Sequence, residues 1–374
     1  MKFGPFPRPI VFNIKNQWGG FTHKRVRPGE VGEVEVFGFH SFDEGIGFHK
    51  LLDNLNGLLN DAGISPSCVG QLLLVIEREK TTLYVNEMFV VTLEVRAKKK
   101  ISAGDTIVSR QIAGIERVQL HGVNIPDDAG VFLLLSHNWR RAFFFDFRPH
   151  YPTEPPYKRD YDFEVVAGQL LSHLVYTEYF LLSEKEWDQV ISVGWFPFMY
   201  LVGGLWDSLF ESIKAGDSLE EDEQRIFDSF LLDIDTKLAA WLGKPILNQE
   251  EKILTRAVTA FKAEDWVSLI SLVCPRIEGI LRRSLSSSGG HSKIVESLRV
   301  HLETTNHQKS LLFPAPLERY FSETFFKFVD FSSNEDTLNR HTLAHGIVSL
   351  DSMNRSYALR TMLLVDHLFY CLPA

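Results

Sequence analysis

Leu338-Asn339-Arg340-His341-Thr342-Leu343-Ala344-His345-Gly346 is the stretch on which the reading of this chain turns. An arginine is followed by four residues and a histidine, and a second histidine stands directly after the arginine. The stretch opens a run that reads as helix. Arginine holds a phosphodiester through a planar fork that matches two phosphate oxygens, and it stays protonated while negative charge develops there. Histidine moves a proton near neutral pH. Together they suit attack of a ribose 2′-hydroxyl on the adjacent phosphate, a reaction that needs no metal.

These residues resemble the R-x4–6-H signature of the HEPN superfamily of small helical domains, in which Asn, Asp or His often follows the arginine. Arg340 matches the arginine, His341 the polar follower and His345 the histidine, and the resemblance covers 248–374. It implies an all-α domain, no metal and no cofactor. Many members are metal-independent ribonucleases that act as toxins or antiviral defence effectors; others only bind. The resemblance therefore implies single-stranded RNA as substrate and partner, a homodimer formed through the C-terminal helical domain, and an antitoxin or a trigger protein as a further partner class. The alternative reading is a non-catalytic HEPN-like protein that binds RNA or nucleotide, or serves in dimerisation.

Other residues are read around this motif. The resemblance implies an acidic residue on an early helix facing the motif, and Glu278 fills that place; Arg282, four residues on, is an equally good partner for it on its own helix. Asn339, Tyr357 and Arg360 read as lining the same cleft. On one helix, five positions set Arg340 and His345 roughly 140° apart, which favours a site assembled across a two-fold axis. Gly346 then reads as a position where a second backbone comes close. The competing structural readings pair Arg340 with Glu335 or Asp336 and bury His345 as a core histidine. His341 and His345 share a helical face, a spacing that also suits a metal pair, but no H-E-x-x-H glutamate accompanies them.

The rest of the chain reads as α+β: a β-rich domain over 1–150, a helical middle region over 158–244 and the HEPN-like helical domain over 248–374. Strands are expected at Val34–Phe39, Gln71–Glu77, Leu83–Val95, Ile107–Val108, Val118–Leu120, Val131–Leu135 and Ala142–Phe147, with one helix at Gly47–Ala62. Pro149 to Pro156 ends this pattern. Helices then follow at Asp162–Leu182, from capping boxes at Ser183–Glu186 and Ser218–Glu221, and at Gln249–Phe261, Ala263–Leu285, Ser292–Leu302, Leu317–Phe331 and Met353–Leu372. Asn334 is expected to cap the motif helix and Asp351 the last one. Lys98-Lys99-Lys100 reads as a solvated turn, and Asp146 with Arg148 as a salt-bridged strand end in preference to a metal-nuclease carboxylate.

A formal net charge of -9 argues against a protein that coats DNA, although acidic and basic side chains balance in the last third, where the motif lies. Three widely spaced cysteines form no CxxC pair and point to thiols in a reducing cytoplasm. The most apolar run, Val193–Trp206, contains Pro197 and is too short to span a bilayer, so it reads as a buried segment and no membrane is expected.

Overall fold

The computed structural model describes residues 9–12, 27–29, 46–138, 140–150, 158–306, 310–329 and 339–373. The chain is α+β and divides into two compact units, Met1–Arg96 with Gly114–Thr177, and Ala97–Ala113 with Glu178–Ala374. This division differs from boundaries placed at 150–158 and 244–248. A hairpin of the β-rich part lends its connecting segment to the helical unit, and the middle and last helices share one unit. Sequence composition does not register such a crossing, because it depends on long-range contacts.

In the first unit, β1 (Ile10–Phe12) precedes α1 (Ile46–Asp61), β2 (Gln71–Ile76), β3 (Thr81–Val85), β4 (Val90–Ala97), β5 (Ile112–His121), β6 (Gly130–His137) and β7 (Arg140–Asp146). Five strands form one sheet in the order β1-β3-β2-β6-β7, with antiparallel neighbours, while β4 and β5 pair separately. Alternation explains the packing. Phe143 and Phe145 join Leu72, Leu74, Phe132 and Leu134 against Leu55 and Leu59 of α1. Phe144 points the other way, 6.0 Å from Phe163 at the start of α2 (Phe163–Val175). With both faces of the sheet covered, its strands read as unbroken apolar runs.

Several local expectations need correction. The run Leu83–Val95 is two strands, because a 3-10 turn at Asn86–Met88 ends the first. Ile107 and Val108 lie outside any strand and are exposed. Val34–Phe39 and Asn334 fall outside the described residues, and the N-cap of the motif helix is Asn339 in place of the expected Asn334. The helix expected over Asp162–Leu182 breaks at Tyr176 into α2 and α3 (Thr177–Phe180). There the Thr177 hydroxyl donates to the carbonyls of His173 and Leu174, competing with the helical ladder. Asp146 is fully buried, accepting from Arg148 and from the Tyr161 hydroxyl at 2.8 Å, a structural role.

The second unit is helical: α4 (Glu184–Ser192), α5 (Leu205–Ala215), α6 (Glu220–Leu242), α7 (Pro245–Asn248), α8 (Glu251–Lys262), α9 (Trp266–Ser284), α10 (His291–Asn306), α11 (Pro314–Tyr320), α12 (Arg340–Ala344) and α13 (Arg355–Cys371). Ser183 and Glu186 form the expected capping box. Ser218 and Glu221 do not: Leu219 occupies the cap position of α6, and Asp222 is drawn inward to accept from Ser208 and Ser212. The helix expected over Leu317–Phe331 ends at Tyr320 and widens into a π turn, Phe321–Phe325, closed by Phe326 N–H donating to Phe321 O at 2.7 Å. Asp351 does not cap α13; Asn354 does, and Asp351 lies in a 3-10 turn capped by Ser349. Lys98 is not solvated with Lys99 and Lys100, because its ammonium donates to the Val202 carbonyl.

The centre of this unit is α13, buried along most of its length, with the Trp195–Trp206 segment packed on it through Phe196 and Phe198 around His367. Among the described residues no helix is long and apolar enough to cross a membrane. Phe230 and Leu232 test the burial argument within one helix, since Phe230 is fully buried and Leu232 is 87% exposed. Phe230→Ala is expected to cost about 3–5 kcal/mol in urea unfolding. Leu232→Ala is expected to stay within about 0.5 kcal/mol of wild type.

Candidate functional site

The motif helix α12 is short because its sequence caps it at both ends. Asn339 is the N-cap: its Oδ1 accepts from Thr342 N–H at 3.0 Å, and Thr342 Oγ1 accepts in return from Asn339 N–H at 3.0 Å. At the other end Gly346 adopts φ +66°, so that its N–H reaches Leu343 O and the Ile347 N–H reaches Thr342 O. That is the Schellman pattern, in which only a residue tolerant of the left-handed region fits. Among the described residues nothing lies within 4 Å of where a Gly346 Cβ would stand, and the positive φ accounts for the glycine. Arg340 is therefore the first helical residue and His345 the C-cap, an exposed one.

Glu278 is buried, and three cationic or ionisable groups converge on it. Arg340 Nε lies 2.6 Å from its Oε2. Arg282 Nε donates to its Oε1 at 2.9 Å, and His291 Nε2 lies 3.4 Å from Oε2. Both sequence alternatives for Glu278, the motif arginine and the i+4 arginine, are occupied together. Burial pushes the Glu278 carboxyl up, but the Arg282 hydrogen bond and the charges of Arg340, His291 and Arg282 outweigh it and hold the group below the ordinary carboxylate range. Among the described residues one carboxylate stands between these two guanidiniums, which leaves a surplus positive charge beside α12.

The imidazoles stand beside this charge. The rings of His341 and His345 meet edge to face at 4.8 Å, as the i, i+4 spacing allows. Desolvation, then the charges of His345, Arg340 and His291, lower the pKa of His341 and favour its neutral form. Phe328, 74% exposed, lies 5.0 Å from the His341 ring. His291 stacks on Phe326 at 4.5 Å. The sequence reading did not single out His291 or Phe328. The only signal for His291 was its place after Gly289-Gly290 at the start of α10, and nothing local marks Phe328.

The remaining expected residues separate. Asn339 is buried and used in capping. Tyr357 and Arg360 do not join the Arg340 cluster but line a different cleft of about 950 Å³, with Val193, Gly194 and Arg319. Arg360 donates there to Val193 O at 3.1 Å and lies over the rings of Trp195 and Tyr357. They are turned away because α13 begins only at Arg355 and packs beside the Trp195 segment. Among the described residues no group of three His, Cys, Asp or Glu side chains gathers as a metal would need, so the His341–His345 pair has no third ligand there. Glu335 and Asp336, the alternative partners of Arg340, fall outside the described residues.

A carboxylate whose pKa is lowered by folding stabilises the fold above its ordinary value of 4.5, and that contribution is lost as pH falls through the folded value. Denaturant midpoints of wild type and Glu278→Gln are therefore expected to differ most above about pH 5 and to converge in more acid solution. A constant difference across that range would show that Glu278 is not held ionised by its partners.

Compared with known proteins, the chain matches no family model, no curated protein and no solved structure.

Proposed function

We propose that the C-terminal helices form a metal-independent endoribonuclease of HEPN type that cleaves single-stranded RNA by attack of the 2′-hydroxyl, in the manner of a toxin or an antiviral defence effector. The observation that carries this reading is the joint placement of a surplus guanidinium charge and two adjoining imidazoles on one short helix. Arg340, with Arg282 behind the shared Glu278, is placed to bind a phosphodiester and offset the charge of a pentacoordinate phosphorane. The exposed Phe328 ring offers a face on which an unpaired base can stack.

In the reaction the 2′-oxygen bonds to phosphorus while the bond to the 5′-oxygen breaks. One imidazole takes the 2′-hydroxyl proton and the other delivers a proton to the leaving oxygen. The depressed pKa of His341 keeps its ring neutral and suits it to accept, which leaves His345 as the donor. The products are a 2′,3′-cyclic phosphate and a 5′-hydroxyl, and DNA, without the nucleophile, resists. A second copy of the chain, meeting the first through these helices, is the expected arrangement of the active species.

One observation favours a second reading. The Arg340 guanidinium is already engaged by Glu278, which suits a protein that binds RNA or nucleotide, or dimerises, without cutting. Incubating wild type, Arg340→Ala, His341→Ala and His345→Ala with mixed RNA, with and without EDTA, separates the two. The cleavage reading expects EDTA-insensitive cutting that leaves cyclic phosphate ends. Arg340→Ala should lower the rate about 10²–10³-fold. Each histidine change should lower it about 10²–10⁴-fold. Tight RNA binding with intact RNA would instead establish the binding reading, and cutting that survives Arg340→Ala would rule out the motif as its source.

A further inference from the structure

A second cleft in the helical unit has no part in the RNA-cleavage reading. It measures about 540 Å³ and lies between the start and end of the 97–113 segment, the Tyr200–Leu205 turn, α6 and α13. That volume is in the range of small-molecule sites, commonly about 300–1,000 Å³. The segment is seated closely: Gly203 adopts φ +83°, and a Cβ there would come within 2.9 Å of the Arg110 α-carbon. Lys98 N–H also donates to Gln111 O at 2.8 Å, which pins the two ends of the segment together.

The charges in this cleft do not cancel. Lys237, nearly buried, is paired with the buried Asp366 at 3.1 Å, and Asp366 also accepts from Trp241 Nε1 at 3.0 Å. Asp233 accepts from the Tyr200 hydroxyl at 3.0 Å. Lys98, Lys99 and Arg110 bring three further cationic side chains, and among the described residues no carboxylate lies within ion-pairing distance of any of them. In the larger cleft beside Arg360, by comparison, Arg319 is held by Asp188 and Glu323. A partly dry cleft with surplus positive charge attracts an anion far more strongly than an exposed lysine cluster does, because the low dielectric strengthens each contact.

We propose that this cleft binds a small molecule bearing an oxyanion, either a phosphate ester or a carboxylate, with Lys98 and Arg110 as the anion-binding groups and the rings of Tyr200 and Tyr370 as the walls for the rest of the molecule. The state of Lys98 agrees with such a site. Burial, with the charge of Lys237, lowers its pKa to about 7 against the opposing pull of Asp366. An anion beside Lys98 restores the missing counter-charge and so favours the protonated amine. Binding should therefore be strongest below about pH 7, where Lys98 already carries its proton. Above that pH, binding should take up a proton and weaken.

The test is calorimetric titration of the full chain with inorganic phosphate, AMP and citrate separately, at pH 6.5 and 8.5. Lys98→Met and Arg110→Ala are titrated in parallel; Arg110 is exposed, so its change leaves the fold intact, and thermal melts verify both variants. The expected result is saturable binding of at least one anion, weaker at pH 8.5 with proton uptake, and about tenfold or more weaker in each variant. Binding of phosphate and AMP but not citrate assigns a phosphate ester; binding of citrate alone assigns a carboxylate. Absence of saturable binding by all three at about 10 mM, or binding equal in wild type and folded Arg110→Ala, overturns the proposal. The outcome is independent of RNA cleavage, since neither variant touches the Arg340 cluster.

Discussion

A helix buried on almost every side can carry polar groups only where partners are waiting for them, and α13 sets this condition for the helical unit. Its Asp366 and His367 are both fully buried. A lone buried carboxylate costs several kcal/mol, so Asp366 is stable there only because Lys237 and Trp241 of α6 reach it. His367 meets the same demand without charge. Burial pushes its pKa down to about 3, so the ring stays neutral and its Nδ1 accepts from Met199 N–H at 3.0 Å. Two adjacent residues thus dictate which parts of α6 and of the Trp195–Trp206 segment lie against α13.

The candidate site repeats this logic at the surface. Glu278 is buried on α9, and its ionised state requires cations from elsewhere. Arg282 comes from the same helix, while Arg340 and His291 come from α12 and α10. A short helix such as α12 contributes little stability of its own. Its position depends on the caps at Asn339 and Gly346 and on the tie from Arg340 to Glu278. The same tie that holds α12 also sets the direction of the Arg340 side chain.

How far the sequence revealed these features varied with the range of the interaction. The Ser183–Glu186 capping box, the apolar runs of β6 and β7, and α1, α8 and α9 were legible, because each depends on residues a few positions apart. The break at Tyr176, the π turn after Tyr320 and the missing box at Ser218 were not. In each, a side chain or a tertiary contact competes with the local pattern. Lys98 is the sharpest instance: three consecutive lysines read as a solvated turn, yet the first is folded inward on Val202.

The sequence by itself determined the α+β class, the apolar runs of the central strands, several of the helices, and the placing of an arginine and two histidines on one short stretch. Those features follow from periodicity, capping chemistry and backbone tolerance, which act over a few residues. Only the tertiary structure decided that Glu278 serves Arg282 and Arg340 together, that His291 and Phe328 join the site, and that Tyr357 and Arg360 leave it for another cleft. Those outcomes depend on which distant groups a buried charge can reach, and that choice is made when helices pack.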